Sequence, residues 1–207
     1  MIGPVASRVV GASRCRTRGN GAGKAFPVGY GALGGIGAGE LTQPRIYTGN
    51  GLSQKGDKGR FILPPDLRKQ VRDASEGLNK LCLARHHKWN CLIGFGTSRT
   101  LEFHAILERE RQDAKDMGDA GWDYDTRSQQ LFGFETVPFD ESGRFLIPDY
   151  LTGLGAIGER IYFQGGGGFI MLWAPEELDK MGDAFVQAKA TCAALIASVK
   201  TGGRGRK

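Results

Sequence analysis

The chain has 207 residues, 33 of them glycine, and its 28 Lys and Arg against 22 Asp and Glu give a formal charge of +6. That length suits one ordinary domain or two small ones, with enough chain to bury a core, and no run of about 18 apolar residues exists that would cross a membrane as a helix. Four cysteines without a Cys-x-x-Cys pair argue against a disulfide scaffold or a zinc ribbon and fit a reducing compartment.

The charge is unevenly spread. Residues 1–39 carry five basic side chains, 11 glycines and no acid, and Lys200 to Lys207 add four more basic side chains, again without an acid. Between them, residues 40–199 hold 19 basic and 22 acidic side chains, a net of −3. Chain so rich in Gly and Ala cannot offset an ordering entropy of roughly 1–2 kcal/mol per residue. Residues 1–45 are therefore expected to be a disordered extension and 200–207 a disordered basic tail. The extension imitates an organellar transit peptide, but its glycine dominance favours the reading that translation starts downstream. Its Gly29-Tyr30-Gly31-Ala32-Leu33-Gly34 spells a dinucleotide fingerprint without the buried strand before it or the helix after it. Gly19 to Lys24 imitates a P-loop, but Arg18 stands where the first glycine belongs and Ala25 where a Ser or Thr would bind magnesium.

From residue 46 onward the elements come twice. A polar turn, Lys55-Gly56-Asp57-Lys58, leads into Gly59-Arg60-Phe61-Ile62-Leu63-Pro64. A short helix is expected from Pro65 to Val71, opened by proline as a first turn prefers. Strands over Leu78–Arg85 and Trp89–Phe95 flank His86-His87-Lys88, and a charged helix over Ser98–Met117 closes the copy. The acidic run Asp113, Asp116, Asp119, Asp123 and Asp125 lacks the glycine and terminal glutamate of a calcium loop and reads as a helix end and a solvated linker. The second copy begins with Asp140-Glu141-Ser142 and Gly143-Arg144-Phe145-Leu146-Ile147-Pro148, an offset of 84 residues. Its short helix runs from Pro148 to Leu154. Strands over Arg160–Gln164 and Phe169–Trp173 flank four glycines, a hairpin signal. Leu178, Met181, Phe185, Ala188, Cys192 and Leu195 then give a helix over Pro175–Val199 an apolar stripe.

Between residues 55 and 72, Lys55, Lys58, Arg60, Arg68, Lys69 and Arg72 stand against Asp57 and Asp66, a local +4. Turns that present Lys and Arg attract phosphates, and Arg also pairs two-pronged with guanine in the major groove. Arg144 has a second reading, an ion pair with Asp140 that only steadies its turn. Cys82, His86, His87 and Cys91 suggest zinc if the two cysteines face each other across a hairpin. Adjacent histidines in extended chain, however, point opposite ways and free Cys is commonly core filling, so no metal or other cofactor is expected. No nucleophile, base and acid form a local catalytic signature, and His104 reads as a satisfied helix residue.

The paired turn, Gly-Arg–apolar–apolar–Pro, resembles that of the MraZ family of bacterial transcriptional regulators. His86 to Leu92 is similar to that family's first hairpin, and Gln130 to Gly133 with Asp140 to Pro148 to the entry of its second repeat. The resemblance runs over about Tyr47 to Met181. It implies an α+β fold with a mainly β core: two tandem AbrB-like halves, 46–126 and 127–199, forming a pseudo-two-fold swapped-hairpin β-barrel with flanking helices. The family signature Asp-x-x-x-Arg is present as Asp140 to Arg144. In the first copy Gly56 takes the aspartate's place and the acid lies one position later, at Asp57. The resemblance further implies a non-enzymatic regulator that binds double-stranded DNA through Lys55, Lys58, Arg60 and Arg144, with Asp57, Gly59, Asp140 and Gly143 supporting the turns. It would be cytoplasmic and nucleoid-associated. It would assemble as a homo-oligomeric ring on short tandem operator repeats before the cell-division and cell-wall genes, with no membrane contact and no evident small-molecule substrate. A protein-interaction module that keeps the barrel without DNA is the alternative, favoured by the −3 interior.

Overall fold

The computed structural model describes residues 45–202. The extension up to residue 44, with both glycine motifs, and the tail beyond residue 202 lie outside the described residues. The elements in chain order are β1 (Asn50–Gln54), β2 (Phe61–Ile62), α1 (Pro65–Asp73), β3 (Lys80–Arg85), β4 (Leu92–Phe95), α2 (Phe103–Met117), α3 (Tyr124–Phe132), β5 (Glu135–Pro138), β6 (Arg144–Phe145), α4 (Asp149–Leu154), β7 (Arg160–Gly165), β8 (Ile170–Trp173), α5 (Pro175–Asp179) and α6 (Val186–Gly202). The strand–turn–strand–short helix–hairpin–helix order read twice from the sequence is present twice.

The repeats do not fold side by side. They interleave in an α+β arrangement built on a mainly antiparallel sheet. Six strands run in the order β1-β7-β8-β4-β3-β5, and β2 and β6 form a separate two-stranded ribbon. The opening strand of each repeat thus pairs with the hairpin of the other. β1 aligns Leu52 with Tyr162 of β7, and β3 aligns Cys82 with Thr136 of β5. At the centre β4 meets β8, with Ile93 opposite Met171. Exchanging the two repeats reproduces the same strand order, so the arrangement carries a pseudo-two-fold relation through the β4–β8 seam. Among the described residues the six-stranded sheet is open, with β1 and β5 at its edges, where the sequence reading expected a closed barrel.

Side chains alternate between two cores. Ile161, Phe163, Ile170 and Leu172 face a core shared with Phe61, Leu67, Val71, Phe145 and Leu151, while Tyr162, Met171 and Trp173 face a second core built with Leu178, Ala188 and Cys192. Layers on both sides explain why β7 and β8 are nearly continuous apolar runs rather than alternating ones. Burial of each large side chain contributes roughly 1.5–3 kcal/mol, and aromatic neighbours such as Trp89, Trp173 and Phe185 pack edge-on or tilted.

The two long helices expected from the sequence are both broken. Thr97–Glu102 is a 3₁₀ turn and only Phe103–Met117 is α-helical. The Pro175–Val199 segment is interrupted around Gly182, so that α5, a 3₁₀ turn at Asp183–Phe185 and α6 succeed one another. The apolar stripe still packs together across the break, and the Lys189 ammonium spans it, donating to the carbonyls of Asp179 (2.8 Å) and Met181. The acidic run does end a helix: Gly118, in the left-handed region at φ 66°, caps α2. It also starts an unexpected one, since the Asp123 carboxylate accepts from the Thr126 N–H at 2.8 Å and caps α3. Arg127 of α3 grips Glu110 of α2 through two hydrogen bonds, 2.6 and 2.8 Å.

The His86 segment differs most from its sequence reading. Cys82 lies opposite Phe95 rather than Cys91, and Cys82 and Cys91 belong to different cores. The two imidazoles do not point apart. They stack at 4.6 Å, with Trp89 stacked on the other side of His86 at 4.4 Å, because the chain leaves the strand at Arg85 and bends. The buried His86 Nδ1 accepts from the N–H groups of Lys88 (3.0 Å) and Trp89 (3.2 Å), which keeps the proton on Nε2. Burial first, then the charges of His87, Arg127 and Lys88, push its pKa down from 6.5 to about 4. The unfolded chain therefore takes up this proton first on acidification. Stability conferred above pH 6.5 is lost as the pH falls from there towards 4, by about 3 kcal/mol in all. His86→Asn, whose amide oxygen offers an acceptor without titrating, is expected to remove this limb from urea-unfolding free energies measured between pH 7 and 4.5. An unchanged limb would show that His86 does not cause it.

Candidate functional site

The paired ribbon is where the two Gly-Arg turns meet. Phe61 lies opposite Phe145 and Ile62 opposite Arg144. Phe61 and Phe145 are buried, with ring centroids 6.5 Å apart, and Phe145 also packs on Phe163. The ribbon is anchored to the large sheet by the buried Ser53 hydroxyl, which accepts from the Ile62 N–H at 2.8 Å. With alternate residues pinned inward, period-two geometry sends Arg60, Ile62, Arg144 and Leu146 outward, and all four are exposed. Arg60 and Arg144 line one open cleft of about 660 Å³, floored by Phe139 and Ile147. The structure thus brings together the two arginines that the sequence places 84 positions apart.

The turns share a frame. The Gly56 N–H donates to the Arg60 carbonyl (2.8 Å) and that of Asp140 to the Arg144 carbonyl (3.0 Å); Gly59 and Gly143 close the turns by donating to the Gly56 and Asp140 carbonyls. Both closing glycines are left-handed, at φ 71° and 82°, a region in which a Cβ is strained. Gly143 is also hemmed in, since a Cβ there would come within 2.9 Å of the Leu63 carbonyl oxygen.

Their electrostatics differ. In the second turn the Asp140 carboxylate accepts from the N–H groups of Ser142 and Arg144, each at 2.9 Å. The Arg144 N–H bond first, then that of Ser142 and the charges of Arg144 and Arg60, hold Asp140 below the ordinary carboxylate range. The Arg144 guanidinium lies 3.8 Å from this carboxylate and is half exposed, a weak contact that leaves its donors available. Asp140 therefore shapes the turn through backbone N–H groups more than it holds the arginine. Gly56 offers no such carboxylate to the first turn. There the chain bends through a 3₁₀ turn at Asp57–Gly59 and places Lys58 in the left-handed region, φ 61°, a conformation that costs about 1 kcal/mol for a non-glycine residue. Lys55, Lys58 and Arg60 are all exposed, and among the described residues none of the three forms an ion pair.

Two other cations of the +4 segment serve a different purpose. Arg68 donates to the Glu141 carbonyl (2.9 Å), and Arg72 to the Glu141 carboxylate (2.9 Å) and to Asn79 (2.8 Å). Asn79 donates to the other Glu141 oxygen at 2.8 Å. These contacts hold the second turn against α1, and they lower the Glu141 pKa, Asn79 first and then Arg72. The corresponding positions beside the first turn are Thr152 and Ala156, which offer no cation. Sequence reasoning counted Arg68 and Arg72 as local charge and missed this clamp; the acidic pair Asp140-Glu141 in a turn that comes after a basic helix was its only signal.

No family model matches the chain. Over 143 residues it is 27% identical to a protein of Phocaeicola vulgatus named transcriptional regulator MraZ, an alignment that covers 65% of this chain and 82% of that one. Over 129 residues it is 28% identical to the transcriptional regulator MraZ of Rhodospirillum rubrum, covering 59% of this chain and 75% of that one. The resemblance carried by the repeated turn thus extends over most of each regulator's length, and over that span the chain is similar to proteins named transcriptional regulator MraZ.

Proposed function

We propose that the chain is a non-catalytic transcriptional regulator that binds double-stranded DNA with the exposed face of the β2–β6 ribbon and its two turns. The observation that carries this is the convergence of Arg60 and Arg144 on one open cleft, beside Lys55 and Lys58, which are not offset by any acid in an ion pair among the described residues. On this reading the repeats 46–126 and 127–199 are two AbrB-like halves exchanging their hairpins, which gives one chain the two-fold basic face that a single half lacks. Lys55 and Lys58 contact phosphates; Arg60 and Arg144 reach phosphate or base edges. Asp57 and Asp140 shape the turns, closed by Gly59 and Gly143.

One such face with four cations binds weakly. The resemblance to MraZ supplies the remainder of the reading: copies of the chain in a ring engage short tandem operator repeats before the cell-division and cell-wall genes, and effective concentration multiplies their affinity. The protein is then cytoplasmic and nucleoid-associated; among the described residues no helix is long and apolar enough to cross a membrane.

The test is a titration of the chain on a DNA fragment from upstream of its own gene, at rising salt. Four phosphate-directed cations are expected to give log K against log salt a slope of roughly −3 to −4 per bound face. A flat dependence, with no complex at low salt, would favour a protein-interaction module on the same frame.

A further inference from the structure

A second recess lies away from the ribbon, between the large sheet and the α2–α3 pair. It has a volume of about 170 Å³. Its walls are mostly apolar, among them Phe95, Phe103, Ile106, Leu131 and Phe169, and its polar groups include Arg99, Arg127, His86 and Gln130. An apolar recess with a few convergent polar groups is the usual form of a small-molecule site.

Arg99 is the informative residue. Its side chain is about four-fifths buried, yet among the described residues the guanidinium makes no hydrogen bond. Its partners are the Phe169 ring, 5.7 Å from the guanidinium carbon, and the Glu102 carboxylate, 3.8 Å away. A guanidinium has five N–H donors in a planar fork; those of Arg99 keep some contact with solvent and are open to an incoming acceptor. The Gly168 backbone packs against one side of the guanidinium, so closely that a Cβ there would fall 2.4 Å from its Nη1. Three arginines border the recess, Arg85, Arg99 and Arg127, and one acid, Glu110. Glu110 is engaged by Arg127 through both of its oxygens, so it does not offset Arg99. The two imidazoles at the wall add no negative charge.

We propose that this recess binds a small monocarboxylate with an apolar body, aromatic or branched aliphatic, whose carboxylate takes the free fork of Arg99 while its body lies among Phe95, Phe103 and Phe169. A carboxylate matches a guanidinium in two parallel hydrogen bonds. The aromatic lining favours an apolar-bodied anion over a compact one such as phosphate. The site shares no residue with the ribbon, so it stands or falls separately from the DNA reading.

The full chain is to be titrated with benzoate, phenylacetate and isovalerate by calorimetry, with benzamide and inorganic phosphate as controls. At least one carboxylate is expected to bind saturably at one site per chain, and benzamide and phosphate at least about tenfold more weakly. Arg99→Lys, which keeps the charge and loses the fork, is expected to weaken the carboxylate at least about tenfold while the circular dichroism spectrum is retained. Absence of saturable binding by all three carboxylates would overturn the proposal. So would benzamide or phosphate binding as tightly as the acid, or full affinity in a folded Arg99→Lys chain. If Arg99→Lys fails to fold, the acid-against-amide comparison on the unaltered chain decides alone.

Discussion

Replacing Lys58 and Arg60 together by glutamate is expected to weaken DNA binding by about 100-fold or more near physiological salt, and to flatten the salt slope by about 2. Both side chains are exposed and without an ion pair among the described residues. The change should therefore leave urea-unfolding stability within about 0.5 kcal/mol, as surface substitutions do. Arg144→Glu alone is expected to cost less, because Asp140 already lies 3.8 Å from that guanidinium and screens part of its field. Fluorescence anisotropy with one labelled duplex at three salt concentrations separates these effects. Equal affinity and an equal slope in the Lys58/Arg60 variant would remove the ribbon face from the DNA interface. The comparison also tests the asymmetry between the turns: the first is cationic and strained at Lys58, the second is clamped through Glu141 by Arg68, Arg72 and Asn79.

Much of this organisation is legible in the sequence, and the reason is repetition. A six-residue string used twice fixes which residues are equivalent, and equivalence led directly to Arg60 and Arg144. The hairpins were equally readable, because paired apolar runs around a short polar or glycine-rich gap are the hairpin pattern. What the sequence does not carry is pairing between distant strands. Nothing in Asn50–Gln54 says that its partner is β7 rather than β3, since period-two patterning specifies a buried face and not a neighbour. The clamp was hidden for the same reason: Arg72 and Glu141 are 69 positions apart. The break in the C-terminal helix was missed because an apolar stripe at spacings of three and four continues across Gly182 as if the helix did. The free fork of Arg99 lies beyond periodicity altogether, being the product of Gly168 and Phe169 arriving from the other repeat.

The interleaved sheet has a consequence for the repeats as separate pieces. Cutting the chain in the exposed loop between Gly118 and Trp122 yields fragments 1–120, with β1 to β4, and 121–207, with β5 to β8. Neither is expected to unfold cooperatively as a monomer. The first would lose the partner of β1 along all five of its residues, the partner of β3 in β5, the β4–β8 seam and the β2–β6 ribbon. It would also expose Phe61, Leu81 and Leu92, which are at most 2% exposed in the whole chain. An edge so long and apolar does not persist unpaired in water. Mixed in equal amounts, the fragments should restore a single cooperative transition, because every one of those pairings is then available again. Each fragment alone has one further option, pairing with its own copy through the same strand exchange, since the order β1-β7-β8-β4-β3-β5 maps onto itself when the repeats are swapped. Size-exclusion chromatography with circular dichroism distinguishes the outcomes. A fragment that melts cooperatively as a monomer would show that the repeat is an independent domain and that the exchange is not what holds the fold. A homodimer of either fragment would show that the pseudo-two-fold relation is strong enough to work as a true one.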